Sequence, residues 1–183
     1  LQESPEVGRN VIEHRGLVMQ WRVPDRCSVN RDLQGWRRYR SAAQYYLTRR
    51  GALAAGVYDA VAYFKSRDGL SRPDMQMLIA PFSINYTNPA AGVEPHGGMN
   101  LCVYPLRPES KGSVSIRSRN ANELPESQCG YGTAQSDRSK MIDIVRLTRR
   151  FVNSTALAAF QPQETRPGTQ YQSDEQILEA DLH

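Results

Sequence analysis

Residues 17–23 place an apolar side chain at every second position, and this run constrains the fold more than any other part of the chain. Successive side chains of a β-strand point to opposite faces, so the apolar members would share one face. They are Leu17, Met19, Trp21 and Val23. A strand with one apolar face needs a second layer packed on that face.

Further strands are predicted by β-branched and aromatic runs bounded by glycine, proline and aspartate. They cover residues 57–64, 75–81, 100–106 and 113–118. We expect the first of these to be mostly buried. We expect the last two to form an antiparallel hairpin, with Val114 and Ile116 facing inward.

Helices are predicted where apolar residues recur at three- and four-residue spacing. One is expected over residues 32–50, and another, of about fourteen residues, ends near Val152. Ser173 to Gln176 has the capping-box pattern and predicts the start of a final helix. Strands and helices do not alternate strictly. We therefore predict an α+β fold, in which an antiparallel sheet is covered on one face by α-helices.

The composition excludes several classes of protein. A chain of 183 residues with 39% apolar and 23% charged residues fits one ordinary globular domain. No apolar run is long enough for a membrane span, and no signal-peptide pattern is present. Three cysteines and three histidines are widely dispersed, so we expect no metal site and a cytoplasmic location. The net charge of +4 comes without any nucleic-acid-binding motif, so we expect no nucleic-acid partner.

The segment between residues 82 and 98 is long for a connection in a compact domain, and loops of this length are usually functional or disordered. The chain has no G-x-G-x-x-G, G-x-x-x-x-G-K-S/T, G-x-S-x-G or H-E-x-x-H motif. The residues themselves therefore offer no dinucleotide loop, phosphate loop, nucleophile elbow or zinc-binding helix.

Several segments together resemble one family. Residues 7–14 are similar to the V-G-x-N-L-x-D-H motif of the glucose-methanol-choline (GMC) oxidoreductases, with Val11 and Glu13 as mild departures. Residues 106–118 are similar to that family's R-P-x-S-x-G-x-V-x-L-R-S run. Residues 59–64 and 72–76 follow in the expected order between them. Residues 126–131 depart from the family's apolar-x-P-N-Y turn and retain only Tyr131, which puts the packing there in doubt.

The resemblance implies the substrate-binding part of an FAD-dependent alcohol oxidoreductase, which passes hydride from a CH–OH carbon to FAD. Residues 1–16 would connect from the flavin domain, 17–172 would form the substrate-binding domain, and 173–183 would begin a helix leading back to the flavin domain. The nucleotide-binding glycines and the catalytic histidine of the family would lie in segments outside this chain, or in a companion chain. No catalytic role is assigned to His183 or to any other residue here.

The resemblance also suggests binding residues, each with a structural alternative. Asp59 would bind a substrate cation or, as we favour, a structural partner that offsets its charge in an apolar strand. Phe82 and Tyr86 would gate the substrate entrance or simply anchor the loop. Met99, Leu101 and Val103 would line the substrate cavity or belong to the core. Asn10 and His14 would contact the cofactor, or stabilise a turn and the domain boundary.

Alone, such a chain is expected to be inactive, with FAD bound mainly by segments outside it and a small alcohol as substrate. The alternative is a non-catalytic module that binds a small molecule or a protein and retains the substrate-domain fold.

Overall fold

The computed structural model describes residues 3–180, so His183 lies outside the described residues. The chain has an α+β fold with two antiparallel sheets and three α-helices among these residues. The strands are β1 (Arg9–Val11), β2 (Leu17–Arg22), β3 (Ala60–Phe64), β4 (Met75–Ala80), β5 (Gly98–Pro105), β6 (Gly112–Ser115), β7 (Glu126–Gln128) and β8 (Gln163–Arg166). The helices are α1 (Arg37–Thr48), α2 (Gln135–Val152) and α3 (Asp174–Ala180).

The larger sheet has five strands in the order β3-β4-β5-β2-β8. The strand predicted from the alternation at residues 17–23 is confirmed as β2, and it lies between β5 and β8. Its apolar positions are buried beneath α2 and α3, where they form one core with Met77, Leu101 and, from α2, Ile144. The expected sheet, covered by helices on one face, is therefore present.

The predicted hairpin of residues 100–106 with 113–118 is wrong. Both edges of β5 are occupied, one by β2 and the other by β4. Strand β6 instead pairs with β1 and β7 in the smaller three-stranded sheet. Val114 and Ile116 are exposed there rather than facing inward.

Two further predictions need correction. Strand β3 is one of the two edge strands of its sheet, and its Val61 and Tyr63 are exposed, so the segment is not mostly buried. The helix expected over residues 32–50 is shorter, because a 3-10 turn at Asn30–Leu33 precedes α1. Arg49 has a positive φ and ends the helix two residues before Gly51.

The capping box at the start of α3 is confirmed. The backbone N–H of Gln176 donates to Ser173 Oγ at 3.2 Å, and the backbone N–H of Ser173 donates to Gln176 Oε1 at 3.0 Å. Ile177, one residue later, is buried against the core. The cap therefore fixes the helix at the point where it joins the layer that covers the sheet.

Helix α2 is joined to β8 by a buried ion pair. Arg149 Nη2 lies 2.8 Å from Glu164 Oε1, and Arg149 Nε lies 2.9 Å from Glu164 Oε2. The same guanidinium donates to the carbonyl oxygens of Gly168 and Tyr171. One arginine thus holds the helix, the edge strand and the segment leading to α3 together.

Candidate functional site

The two faces of the five-stranded sheet differ in burial. Residues directly opposite each other in antiparallel strands share a face, and the pairing of Leu17 with Val103 and of Val103 with Met77 defines the face beneath the helices. All three side chains are buried in the core. In each strand, the residues that alternate with these core residues therefore belong to the other face, which we call the open face.

The middle of the open face is apolar and uncharged. Val18 pairs with Cys102, Cys102 with Leu78, and Leu78 with Val61, so these four side chains cross the sheet in one row. Each is half-buried or exposed. A row of such side chains, with no packed core over it, forms a wall that an apolar group can cover.

A second row on the open face carries two tyrosines with a glutamine between them. Tyr104 pairs with Gln76, and Gln76 with Tyr63. The ring of His14 stacks on Tyr104 with 5.0 Å between ring centroids, and His14 Nε2 lies 3.0 Å from the Leu106 carbonyl oxygen. These contacts place His14 at the margin of the open face.

The ionisable groups in the middle of this wall stay neutral. The Tyr58 phenol lies beside the Cys102 thiol, and burial raises the pKa of both groups. The thiol raises the pKa of Tyr58 further, whereas the hydrogen bond with Tyr58 partly offsets the rise in the pKa of Cys102. Burial also raises the pKa of Tyr104, and the nearby thiol raises it further. At neutral pH the wall therefore presents a thiol and phenols, not a thiolate or phenolates.

The third row of the open face is polar. Gln20 pairs with Asn100, and both are buried. The Gln20 amide donates to the Ile84 carbonyl oxygen at 3.0 Å and accepts from the Ile84 backbone N–H at 2.6 Å. Asn100 Oδ1 is buried without a hydrogen-bond partner among the described residues.

A long loop, residues 82–97, runs from β4 to β5 and is held at its base by Asn30. The Asn30 side chain is fully buried; it donates to the carbonyl oxygens of Glu94 at 3.0 Å and His96 at 2.8 Å, and it accepts from the Ser83 backbone N–H at 3.0 Å. These bonds join both ends of the loop to one side chain. The base of the loop is therefore fixed at both ends, and the tip is the segment between Ser83 and Glu94.

Tyr86 lies near the tip of this loop and reaches toward the wall. The guanidinium carbon of Arg166 lies 4.1 Å from the centroid of its ring, and the Tyr86 phenol acts on the pKa of Tyr58. Tyr86 itself is partly exposed, and Phe82 is half-buried at the start of the loop. Arg166 pairs with Gln20, so this contact brings Tyr86 to the open face.

The interpretation of Leu101 and Val103 as cavity-lining residues needs correction. Both are fully buried in the core beneath α2, and Met99 on the same face packs against that core. The side chains of β5 that reach the open face are those of Asn100, Cys102 and Tyr104. The alternation in the sequence correctly separates the residues of β5 into these two sets. Which set faces the helices depends on how β5 pairs with β2 and β4.

Asp59 does not lie inside an apolar strand as expected. It precedes β3, is exposed, and forms no ion pair with another residue in the range 3–180. Its backbone N–H donates to the Ile79 carbonyl oxygen at 2.9 Å. The desolvation cost that predicted a structural partner is therefore absent.

Asn10 has the turn-stabilising geometry that its alternative interpretation predicted. It adopts a positive φ of 57°, donates to Glu6 Oε2 at 3.4 Å, and accepts from Lys111 Nζ at 3.3 Å. It is exposed and lies in β1, in the smaller sheet. The two residues proposed for cofactor contact thus lie apart: Asn10 in the second sheet and His14 at the margin of the open face.

The loop between β5 and β6 is fixed by Asp137, a residue that the sequence did not mark. Its carboxylate accepts from the backbone N–H groups of Glu109 and Ser110 at 2.7–3.0 Å. Burial alone would raise the pKa of Asp137, but hydrogen bonds from Ser110 and Glu109, together with Lys140, lower it below its usual value. The segment resembling the R-P-x-S-x-G run thus forms part of an anchored turn.

Within residues 3–180, no helix is long and apolar enough to cross a membrane.

Comparisons with known proteins support one family. Residues 108–183 match a family model described as GMC oxidoreductase. The chain is 30% identical over 179 residues to the oxygen-dependent choline dehydrogenase of Escherichia coli O139:H28 (strain E24377A / ETEC), an alignment that covers 98% of this chain and 32% of that protein. The protein of the same name from Cronobacter sakazakii (strain ATCC BAA-894) is 29% identical over the same shares of each chain.

A solved structure of a formate oxidase from Aspergillus oryzae RIB40 has a similar fold. The TM-score is 0.82 at 18% sequence identity, over 98% of this chain and 36% of that chain. This chain therefore spans about a third of the length of the proteins that it matches.

Proposed function

We propose that this chain, which belongs to the GMC oxidoreductase family, supplies the substrate-facing wall of an FAD-dependent alcohol oxidoreductase. The family's flavin-binding segments and catalytic histidine would lie in the two thirds of the relatives' length that this chain does not span. In such an enzyme the alcohol carbon gives up a hydride and the alcohol oxygen a proton.

The observation that carries this proposal is the contrast between the two faces of the sheet. One face is covered by α2 and α3, whereas the open face bears a half-exposed apolar row and tyrosines. These features fit a flavin-binding part packed against the open face.

FAD, when bound beside this wall, supplies the hydride acceptor. The residues of this chain would then hold the alcohol. Val18, Leu78 and Cys102 would exclude water from the apolar part of the substrate, and the Tyr58 hydroxyl could donate a hydrogen bond to a substrate oxygen. Because burial raises the pKa of Tyr58, its phenol stays protonated and is not the base that takes the alcohol proton. That base is assigned to a segment outside this chain.

The division of the chain follows from this assignment. Residues 1–16 would connect from the flavin-binding part, 17–172 would form the substrate-binding domain, and 173–183 would lead back. His14 at the margin of the open face would contact the flavin-binding part, and Tyr86 would control entry to the wall from the loop tip. Asp59, exposed and without an ion pair to another described residue, would be available to a charged group of the substrate or of that part.

The experiment is reconstitution. The purified chain alone should show no flavin absorbance and no alcohol-dependent dye reduction. A separately expressed flavin-binding part from the same organism should restore dye reduction on mixing. A Cys102→Arg variant, which places a charge in the apolar row, should fold but should lower this turnover at least tenfold. The control Ile116→Arg, at an exposed position outside the five-stranded sheet, should fold and leave the turnover unchanged.

Three outcomes would contradict the proposal. FAD bound tightly to the chain alone would show that the flavin site is not outside it. Full turnover with Cys102→Arg would show that the open face is not the substrate wall. Binding of the two parts without turnover would favour the non-catalytic module.

A further inference from the structure

Helix α1 presents its apolar side to solvent, which is the reverse of an ordinary surface helix. Residues three and four apart lie on one side of a helix, and here they form a stripe with the preceding Trp36. The exposed fractions are 66% for Trp36, 65% for Tyr39, 73% for Tyr46 and 84% for Leu47. Ser41, on the other side, is the buried residue of the helix. Single exposed apolar residues are common, but a contiguous stripe indicates an interaction surface.

The stripe is surrounded by arginines. Residues 31–50 contain six arginines and one aspartate, a net charge of +5 against +4 for the whole chain. Arg37, Arg38 and Arg40 on α1 are all exposed. The Arg38 guanidinium carbon lies 4.7 Å from the centroid of the Tyr39 ring, which keeps this charge beside the aromatic stripe.

Charge and chemistry together select the occupant of this surface. Two copies of the chain packed α1 against α1 would bring two strongly basic surfaces together, which costs free energy. The main contacts of the helix are with the 3-10 turns that flank it, Asn30–Leu33 and Ala52–Ala54, rather than with the strands of the sheet. Helices that lie in the plane of an anionic membrane surface have this composition: tryptophan, tyrosine and leucine on one side, flanked by arginines.

We propose that α1 binds the surface of an anionic lipid bilayer. The apolar stripe would enter the boundary between headgroups and acyl chains, while the arginines would contact anionic headgroups. This surface shares no residue with the open face of the sheet, so the proposal does not depend on the proposed function.

The two tryptophans make the test direct. Trp21 is buried in the core at 2% exposure, so a change in fluorescence on adding vesicles reports on Trp36. Vesicles of phosphatidylcholine with 30% phosphatidylglycerol should shift the emission to the blue and protect it from acrylamide. Phosphatidylcholine vesicles should do neither. Raising the salt concentration to 1 M should weaken the binding, because it screens exposed charges.

Variants define the surface. Arg37→Ala with Arg40→Ala should weaken partitioning about thirtyfold, since each arginine near an anionic surface contributes about 1 kcal/mol. Leu47→Ser should weaken it roughly tenfold through lost apolar burial. The matched controls are Arg117→Ala with Arg119→Ala, and Ile116→Ser, which alter exposed residues of the same types elsewhere and should leave partitioning unchanged.

Four results would overturn the proposal. The first is no binding to anionic vesicles, and the second is equal binding to neutral vesicles. The third is a dimer in sedimentation equilibrium that Leu47→Ser converts to monomer, which would assign the surface to a second copy. The fourth is protection of Trp36 by the flavin-binding part alone, which would assign the surface to a contact between the two parts.

Discussion

Replacing Asn30 with alanine tests how the loop at residues 82–97 is held. Asn30 is fully buried and makes three short hydrogen bonds, to the carbonyl oxygens of Glu94 and His96 and from the Ser83 backbone N–H. Each intramolecular hydrogen bond contributes about 1 kcal/mol net, so the variant should lose about 3 kcal/mol of stability. For a chain of this size, that loss corresponds to a fall in Tm of roughly 6–12 °C.

The assay combines thermal unfolding with amide hydrogen exchange. The Ser83 amide should lose protection in Asn30→Ala, because its acceptor is removed. Asn30→Asp should be still less stable: it keeps an acceptor for Ser83 but places a carboxylate against the carbonyl oxygens of Glu94 and His96. Asn122→Ala, at an exposed asparagine, is the control and should change stability by less than about 0.5 kcal/mol.

A loss below about 1 kcal/mol in Asn30→Ala would refute this reasoning. So would unchanged exchange at Ser83, even with a lower Tm, because the loop would then be held by other contacts.

Three more predictions concern stability, each checked by urea unfolding. Glu164→Gln leaves the Arg149 charge buried and should cost about 3–5 kcal/mol, whereas replacing both residues with apolar ones should recover much of the loss; equal losses in both variants would contradict the ion-pair account. The pKa of Asp137 is lowered in the folded chain, so its contribution to the free energy of unfolding is present above the usual aspartate pKa and is lost as the pH falls through the folded value. Asp137→Asn should therefore be less stable than the parent chain at pH 7, and its stability should depend less on acid. An unchanged dependence of stability on pH would count against this. Leu101→Ala should cost about 2–5 kcal/mol, whereas Cys102→Ala should cost under about 1.5 kcal/mol; the reverse order would show that the two faces of β5 were assigned wrongly.

Local patterns in the sequence predicted local structure well. The alternation from Leu17 to Val23 and the capping box at Ser173 are decided by neighbours along the chain, and both are found in the structure. The amphipathic pattern ending at Val152 also predicted α2, although the helix begins earlier, at Gln135.

Partners distant in sequence could not be predicted. The segment at 113–118 has the pattern of a strand, but its pairing with β1 is set by which strand edges remain free. The same limit explains Leu101 and Val103: alternation separates them from Cys102, but only the register against β2 and β4 shows which set lies beneath the helices. The apolar residues of α1 predicted a helix, but their spacing does not show whether that side of the helix faces the protein or the solvent.

The alternation along β5 has a consequence for how such a protein can diverge. If the open face holds the substrate, as we propose, substitutions at Cys102 and Tyr104 would alter ligand preference while folding is preserved, because neither side chain lies in the layer beneath α2. A deletion of one residue within β5 would have the opposite effect, because every side chain beyond it would change sides. Relatives with different ligands should therefore vary in side-chain identity along this strand and keep its length.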